Sequence, residues 1–152
     1  MELDQEHLLN WLPIIGVVTI SWTPIERHID QCLHFLTLAE AVKSKPTSLN
    51  HKLDIIKTKI SPAIFSASEI EELVKNTKYI VKIRNILVHG VVVSCDMNKI
   101  TVEKTDTRKP GHHLEDFTIT LEQLNLTVPA LQAVSGRWFE VTDKLKNLIH
   151  NA

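Results

Sequence analysis

RNILVHG, Arg84 to Gly90, is the stretch on which the reading of this chain turns. It places an Arg, an Asn and a His at the end of an otherwise apolar helical run and closes on a glycine. Upstream, Ser68 with Glu71 fits a capping box, which predicts a helix from there through Tyr79 to His89. Acids in the first turn and Gly90 after the last residue suit the helix macrodipole and a left-handed C-terminal cap. On a helical wheel Leu73, Ile80, Val81, Ile83, Leu87 and Val88 spread over a wide apolar arc, and Arg84 falls near its middle. Lys75, Lys78, Lys82, Asn85 and His89 share the neighbouring polar stripe, a track suited to a phosphate backbone.

Before this helix, Ile25, Ile29, Cys32, Leu33, Leu36 and Ala39 recur on one helical face. Thr23-Pro24-Ile25-Glu26 could open a helix as a capping box, but the apolar run ahead of it is also helical. One long helix over residues 12 to 42, kinked at Pro24, is the favoured reading. Lys43 to Ser48 is a turn, and Leu49, Leu53, Ile56 and Ile60 mark a second helix that stops before Ser61-Pro62. After Gly90 the texture becomes β. Val91 to Val93 and Ile100 to Val102 flank a polar turn at Asp96-Met97-Asn98, Thr105 to Asp116 reads as an exposed loop, and Phe117 to Ile119 supplies a third strand. Thr120 to Gln123 caps a helical stretch that Pro129 and Gly136 interrupt, and Trp138, Val141, Leu145, Leu148 and Ile149 stripe a last helix. The expected fold is mainly α: a helical bundle with a small antiparallel insert after the Arg84 helix, in one domain over residues 1 to 152.

A chain of 152 residues that is 43% hydrophobic and 23% charged can bury one sizeable core. The formal net charge of −1 gives the whole protein no electrostatic reason to hold nucleic acid, so any such contact is local. Lys52, Lys57 and Lys59 and the pair Arg108 and Lys109 read as solvated faces. Two cysteines, Cys32 and Cys95, and an acidic N-terminus point to a cytoplasmic protein with reduced thiols. The run Trp11 to Trp22 reads as core helix, too short to cross a bilayer, so no membrane role is expected. No glycine-rich phosphate loop, nucleophile elbow or zinc-protease signature is present, and no cofactor is expected. His28 with Cys32, and His112, His113, Glu115 and Asp116, have ligand-like spacing, but an apolar helical face and a polar loop explain them without a metal. Trp11, Trp22 and Trp138 fall on helical patterns as core or interface residues.

Two accounts of Arg84 compete. In one it forms a buried ion pair, with Glu26 or Asp30 as partner, and specifies packing. In the other its apolar surroundings are partly a subunit interface, and the guanidinium points into a shared cleft to hold a phosphate. His89, at the negative end of its helix, is a candidate general acid or an ordinary helix cap, and Asn85 one turn earlier can orient either group.

Arg84-Asn85, three apolar residues and His89-Gly90 resemble the R-N-x-x-x-H-G form of the motif that defines the HEPN superfamily, an Arg followed after four to six residues by a His. The segment Ile20 to Leu33 resembles the Trp- and Glu-containing first helix of bacterial members, so the likeness covers about residues 12 to 90. It implies a helical bundle and metal-independent endoribonuclease chemistry in a homodimer joined through the motif helix. The RNA 2′-hydroxyl would attack the adjacent phosphorus, leaving 2′,3′-cyclic phosphate and 5′-hydroxyl ends. Arg84 would hold the phosphate, His89 would act as acid or base, Asn85 would position them, and Lys75, Lys78 and Lys82 would track the RNA. A toxin or antiviral defence effector, with a protein antitoxin or regulator as partner, is the corresponding biology. The alternative is a non-catalytic member of that fold that dimerises or binds RNA or a protein.

Overall fold

The structure, a computed structural model, describes residues 4–39, 41–43, 46–106, 110–111 and 113–152. Its elements in chain order are α1 (Gln5–Leu38), α2 (Leu49–Lys59), α3 (Ala67–His89), β1 (Val91–Cys95), β2 (Lys99–Asp106), β3 (His113–Thr120) and α4 (Leu121–His150). The protein is mainly helical with one small antiparallel sheet, in the strand order β1-β2-β3.

Several boundaries differ from those read in the sequence. The first helix starts at Gln5 and ends at Leu38, rather than spanning residues 12 to 42, and passes through both Pro13 and Pro24. The C-terminal segment is likewise one helix: Pro129 lies inside α4, and Gly136 does not interrupt it. All three prolines and Gly136 are exposed, so the carbonyl that each ring leaves without a donor faces water, where its cost is smallest. The α3 cap sits two residues upstream of Ser68. Ser66 N donates to Glu69 Oε2 at 3.0 Å, and Glu69 N donates back to Ser66 Oγ at 3.3 Å. In SASEIEE both Ser residues satisfy the same spacing, and spacing alone could not choose between them.

By its contacts the chain divides into two compact units. The first unit holds α1 up to Ser21 together with Ile80–Leu131. Its sheet is longer than expected: β2 continues to Asp106 and β3 begins at His113, pairing Thr105 with Leu114 and Asp106 with His113. Half of the predicted loop from Thr105 to Asp116 is therefore strand. Residues 113 to 116 are all exposed, so no apolar alternation marked them; the backbone ladder carries this end. The β1–β2 turn stands where Asp96-Met97-Asn98 predicted it, because Asp96 Oδ1 accepts from the backbone N–H groups of Asn98 and Lys99 at 2.8 and 2.9 Å. Trp11 Nε1 donates to Asp96 O at 2.8 Å and ties α1 to that turn. Thr120 and Gln123 form the predicted capping box of α4.

The second unit holds Trp22–Tyr79 and Gln132–Ala152. Ile25, Ile29, Leu53, Ile56, Ile70 and Trp138 are among its fully buried side chains. A polar thread crosses this core: Trp138 Nε1 donates to Thr77 Oγ1 at 2.9 Å, and Thr77 Oγ1 donates to Leu73 O at 2.7 Å. Thr77→Val keeps the shape but strands the buried indole N–H, so it is expected to lower unfolding stability by about 1–3 kcal/mol, measured by urea titration. Cys32 Sγ lies 3.2 Å from Thr142 Oγ1, and burial pushes its thiol from the ordinary 9.0 to about 12. The folded state therefore keeps the proton that the unfolded chain loses above pH 9. Cys32 is expected to resist alkylation until the protein unfolds, and its contribution to stability to decline as pH rises from about 9 toward 12. Mass spectrometry of iodoacetamide-treated protein with and without urea checks this.

Candidate active site

Residue 84 enters the site from the arc of α3 that the wheel assigned to packing, and the structure leaves it half-buried. Its Nη1 donates to Asn85 Oδ1 at 3.0 Å. Its Nε is buried and has no hydrogen-bond partner among the described residues. Among the described residues no carboxylate forms an ion pair with it, and Asp30, one of the two expected partners, instead accepts from Lys52 Nζ at 2.6 Å. Glu26, the other, is exposed. Among the described residues Arg84 thus has no carboxylate partner, and Lys52, read as part of a solvated face, is engaged with an acid. What stands at position 84 is a cation with one N–H held by a neutral amide and another left unsatisfied, a combination that favours an incoming anion with several acceptor oxygens.

Asn85 is half-buried and His89 is exposed, one helical turn beyond it. His89 lies five positions after Arg84, so on one helix their side chains leave the axis about 140° apart and about 7.5 Å along it. One copy of α3 thus does not aim both groups at one point.

Gly90 shapes the end of this helix, though not by the predicted left-handed cap, because the described glycine with positive φ is Gly111, at +90° in the Pro110-Gly111 turn. At Gly90 the constraint is close approach. A Cβ there would fall on Val102 Cγ1 and stand 2.7 Å from Ile86 O and 3.2 Å from Glu103 O. Gly90 N itself donates to Ile86 O at 3.0 Å, so β2 passes directly over the end of α3. The hairpin begins at Val91 immediately after His89, which leaves the imidazole at the helix–sheet junction and open to solvent.

Of the three lysines on the stripe, Lys75 and Lys82 are exposed and make no ion pair among the described residues. Lys78 Nζ bonds Asp54 Oδ1 at 2.8 Å, and this contact holds the Asp54 carboxyl below its ordinary value. Its charge is thereby partly spent. Lys82 belongs with Arg84 in the first unit, whereas Lys75 and Lys78 belong to the second.

Among the described residues no group of three or more His, Cys, Asp or Glu side chains could hold a metal ion. His28 Nδ1 lies 3.2 Å from Gln31 Oε1, and Cys32 faces Thr142, so the two do not act as a ligand pair. Of the expected loop cluster, His112 lies outside the described residues, while His113, Glu115 and Asp116 lie on β3. A groove of about 460 Å³ in the second unit, lined by residues including Arg27, His28, Phe35, Phe139 and Lys146, was not legible in the sequence. Its two walls come from α1 and the end of α4, more than a hundred positions apart, and no motif marks either. None of the motif residues lines it.

Residues 5–38 form a 34-residue helix whose most apolar window has a mean hydropathy of 1.5, with 22% of that window buried. By length and composition alone this helix is long and apolar enough to cross a membrane, a test that the core helix of a soluble protein also passes, so the reading of the Trp11–Trp22 run as core helix is not overturned. Trp11, Trp22 and Trp138 are buried, as their helical spacing predicted. No family model, curated protein or solved structure matches this chain.

Proposed function

We propose that this protein is a cytoplasmic, metal-independent endoribonuclease of the HEPN type that works as a homodimer, with Arg84 and His89 as its chemistry. The observation that carries the reading is the state of Arg84: a half-buried guanidinium beside Asn85, with an unsatisfied Nε and no carboxylate partner among the described residues. A phosphodiester supplies what that group lacks. Held by Arg84, the phosphate becomes a better electrophile, and the cation offsets the charge that develops on its oxygens. His89, exposed at the helix end, takes the proton of the 2′-hydroxyl or protonates the departing 5′-oxygen. The roughly 140° divergence of the two side chains on one helix is the physical reason for a second copy, whose His89 can approach the phosphate that the first copy's Arg84 holds.

In this reaction the 2′-oxygen–phosphorus bond forms as the phosphorus–5′-oxygen bond breaks, and the proton lost by the 2′-hydroxyl is balanced by one gained by the 5′-oxygen. Asn85 fixes the guanidinium through its amide oxygen, while Lys75 and Lys82 supply backbone contacts that do not read sequence. A toxin or antiviral effector restrained by a protein inhibitor fits such an activity.

The test is incubation of purified protein with single-stranded RNA in excess chelator, alongside Arg84→Ala and His89→Ala. Cleavage that persists under chelation and falls by about 10³-fold or more in each folded variant supports the proposal. Intact RNA with wild type, or cleavage indifferent to both substitutions, rejects it and leaves the non-catalytic dimerising or RNA-binding module.

A further inference from the structure

In the second unit, side chains from the latter half of α1 and the end of α4 line one open groove of about 460 Å³. His28, Gln31 and Phe35 supply one wall, and Phe139 and Lys146 the other, at the three- and four-residue spacings that set each group on a single helical face. The volume falls within the roughly 300–1,000 Å³ of small-molecule sites. The motif helix α3 contributes nothing to the lining.

Its apolar surface is aromatic. Phe139 is 59% exposed and stands edge-on to the His28 ring, with 5.7 Å between centroids and 75° between planes, while Phe35 is half-buried. Such walls take the face or edge of a further ring at about 4.5–7 Å. The polar groups beside them are mostly donors. Arg27 on α1 and Lys146 on α4 both line the groove and are exposed, and among the described residues neither makes an ion pair or a side-chain hydrogen bond. His28 Nδ1 lies 3.2 Å from Gln31 Oε1, an oxygen that can only accept, so Nδ1 carries the hydrogen and the Gln31 amide nitrogen stays free to donate. Asp143 is the one carboxylate in the described lining, and its Oδ2 already accepts from Asn147 Nδ2 at 3.3 Å. Two cations against one acid leave the groove net positive.

We infer that this groove binds a small aromatic anion, its ring against Phe139 and Phe35 and its anionic group on Arg27 and Lys146. A neutral aromatic would leave both cations without an acceptor, and an inorganic anion would leave the aromatic walls in water. A molecule that joins the two chemistries uses the whole lining. The inference goes beyond the proposed function and stands whether or not the protein cleaves RNA.

The probe is anilinonaphthalene sulfonate, an aromatic anion whose fluorescence rises in apolar surroundings, titrated into the full chain beside phenylnaphthylamine, which has the same rings without the sulfonate. Wild type is expected to bind one sulfonate dye per chain with a dissociation constant below about 100 µM, and the neutral dye at least about tenfold more weakly. Arg27→Gln and Lys146→Gln should each weaken the sulfonate dye about tenfold and leave the neutral dye unchanged, whereas Phe139→Ala should weaken both. All three positions are exposed, so the circular dichroism should remain that of wild type. Sulfonate binding indifferent to the three substitutions would place the dye on another apolar surface, such as the exposed Leu9, Leu12 and Ile20 of α1, and overturn the inference. Equal affinity for the two dyes, or no saturable binding, would overturn it as well. Displacement of the bound dye by naphthoate or by naphthyl phosphate would support the site and identify its anionic group as a carboxylate or a phosphate; displacement by neither would overturn it.

Discussion

Arg84→Met is expected to abolish RNA cleavage while leaving the protein as stable as wild type, or more stable by about 1 kcal/mol. The native guanidinium gives up hydration to sit half-buried, receives one 3.0 Å bond to Asn85 in exchange, and leaves Nε without an acceptor. A methionine of similar length keeps the packing and removes the unsatisfied donor. Had Arg84 been one half of a buried ion pair, the same change would leave a carboxylate uncompensated and cost about 3–5 kcal/mol. No carboxylate among the described residues is in that position, so stability and activity should move apart. Thermal unfolding of the variant measured beside its RNA cleavage checks both halves; a large drop in melting temperature would show that Arg84 is structural.

Gly90→Ala should be the most destabilising glycine-to-alanine change in the chain. The added Cβ falls on Val102 Cγ1 and 2.7 Å from Ile86 O. Val102 is fully buried and so has little room to turn away, and Ile86 O is backbone, held by the Gly90 N–H at 3.0 Å. Relief requires β2 to lift off the end of α3, at a cost of about 2–4 kcal/mol by overpacking. Denaturant titration measures the loss. Because that shift also displaces His89, the neighbour of Gly90, cleavage should fall even where the variant remains folded. Gly16→Ala, with open space around the site, is the internal control: a helix gains about 1 kcal/mol from Ala over Gly.

These expectations also mark what the residues alone could tell. Helix content, the hairpin turn at Asp96 and the cap at Thr120 were legible because each is set by neighbours within four positions. Pro24 was read as lying within one long helix, as it does, whereas Pro129 and Gly136 misled for one shared reason. Sequence assigns them a helix-breaking tendency without saying that each faces solvent, where the tendency is cheap to override. The role of Gly90 was misread because the atom that excludes a side chain belongs to Val102, twelve positions away in another element. At the site, RNILVHG was visible as an oddity of pattern, but the choice between ion pair and anion receptor depended on what surrounds Arg84 in space. Lys78 and Asp54, and likewise Lys52 and Asp30, are pairs that more than twenty positions of chain kept out of any local reading. The Trp11–Trp22 run was legible as an apolar core helix; which of its sides packs inward required the burial of Trp11 and Val18.

The most direct test of the central claim is the chemistry of the RNA ends. Fragments produced by wild type in excess chelator should carry 2′,3′-cyclic phosphate on one side of the break and 5′-hydroxyl on the other, so the new 5′ ends accept phosphate from polynucleotide kinase without prior dephosphorylation. Fragments with 3′-hydroxyl and 5′-phosphate ends, or cyclic-phosphate fragments that form equally well with His89→Ala, would contradict it.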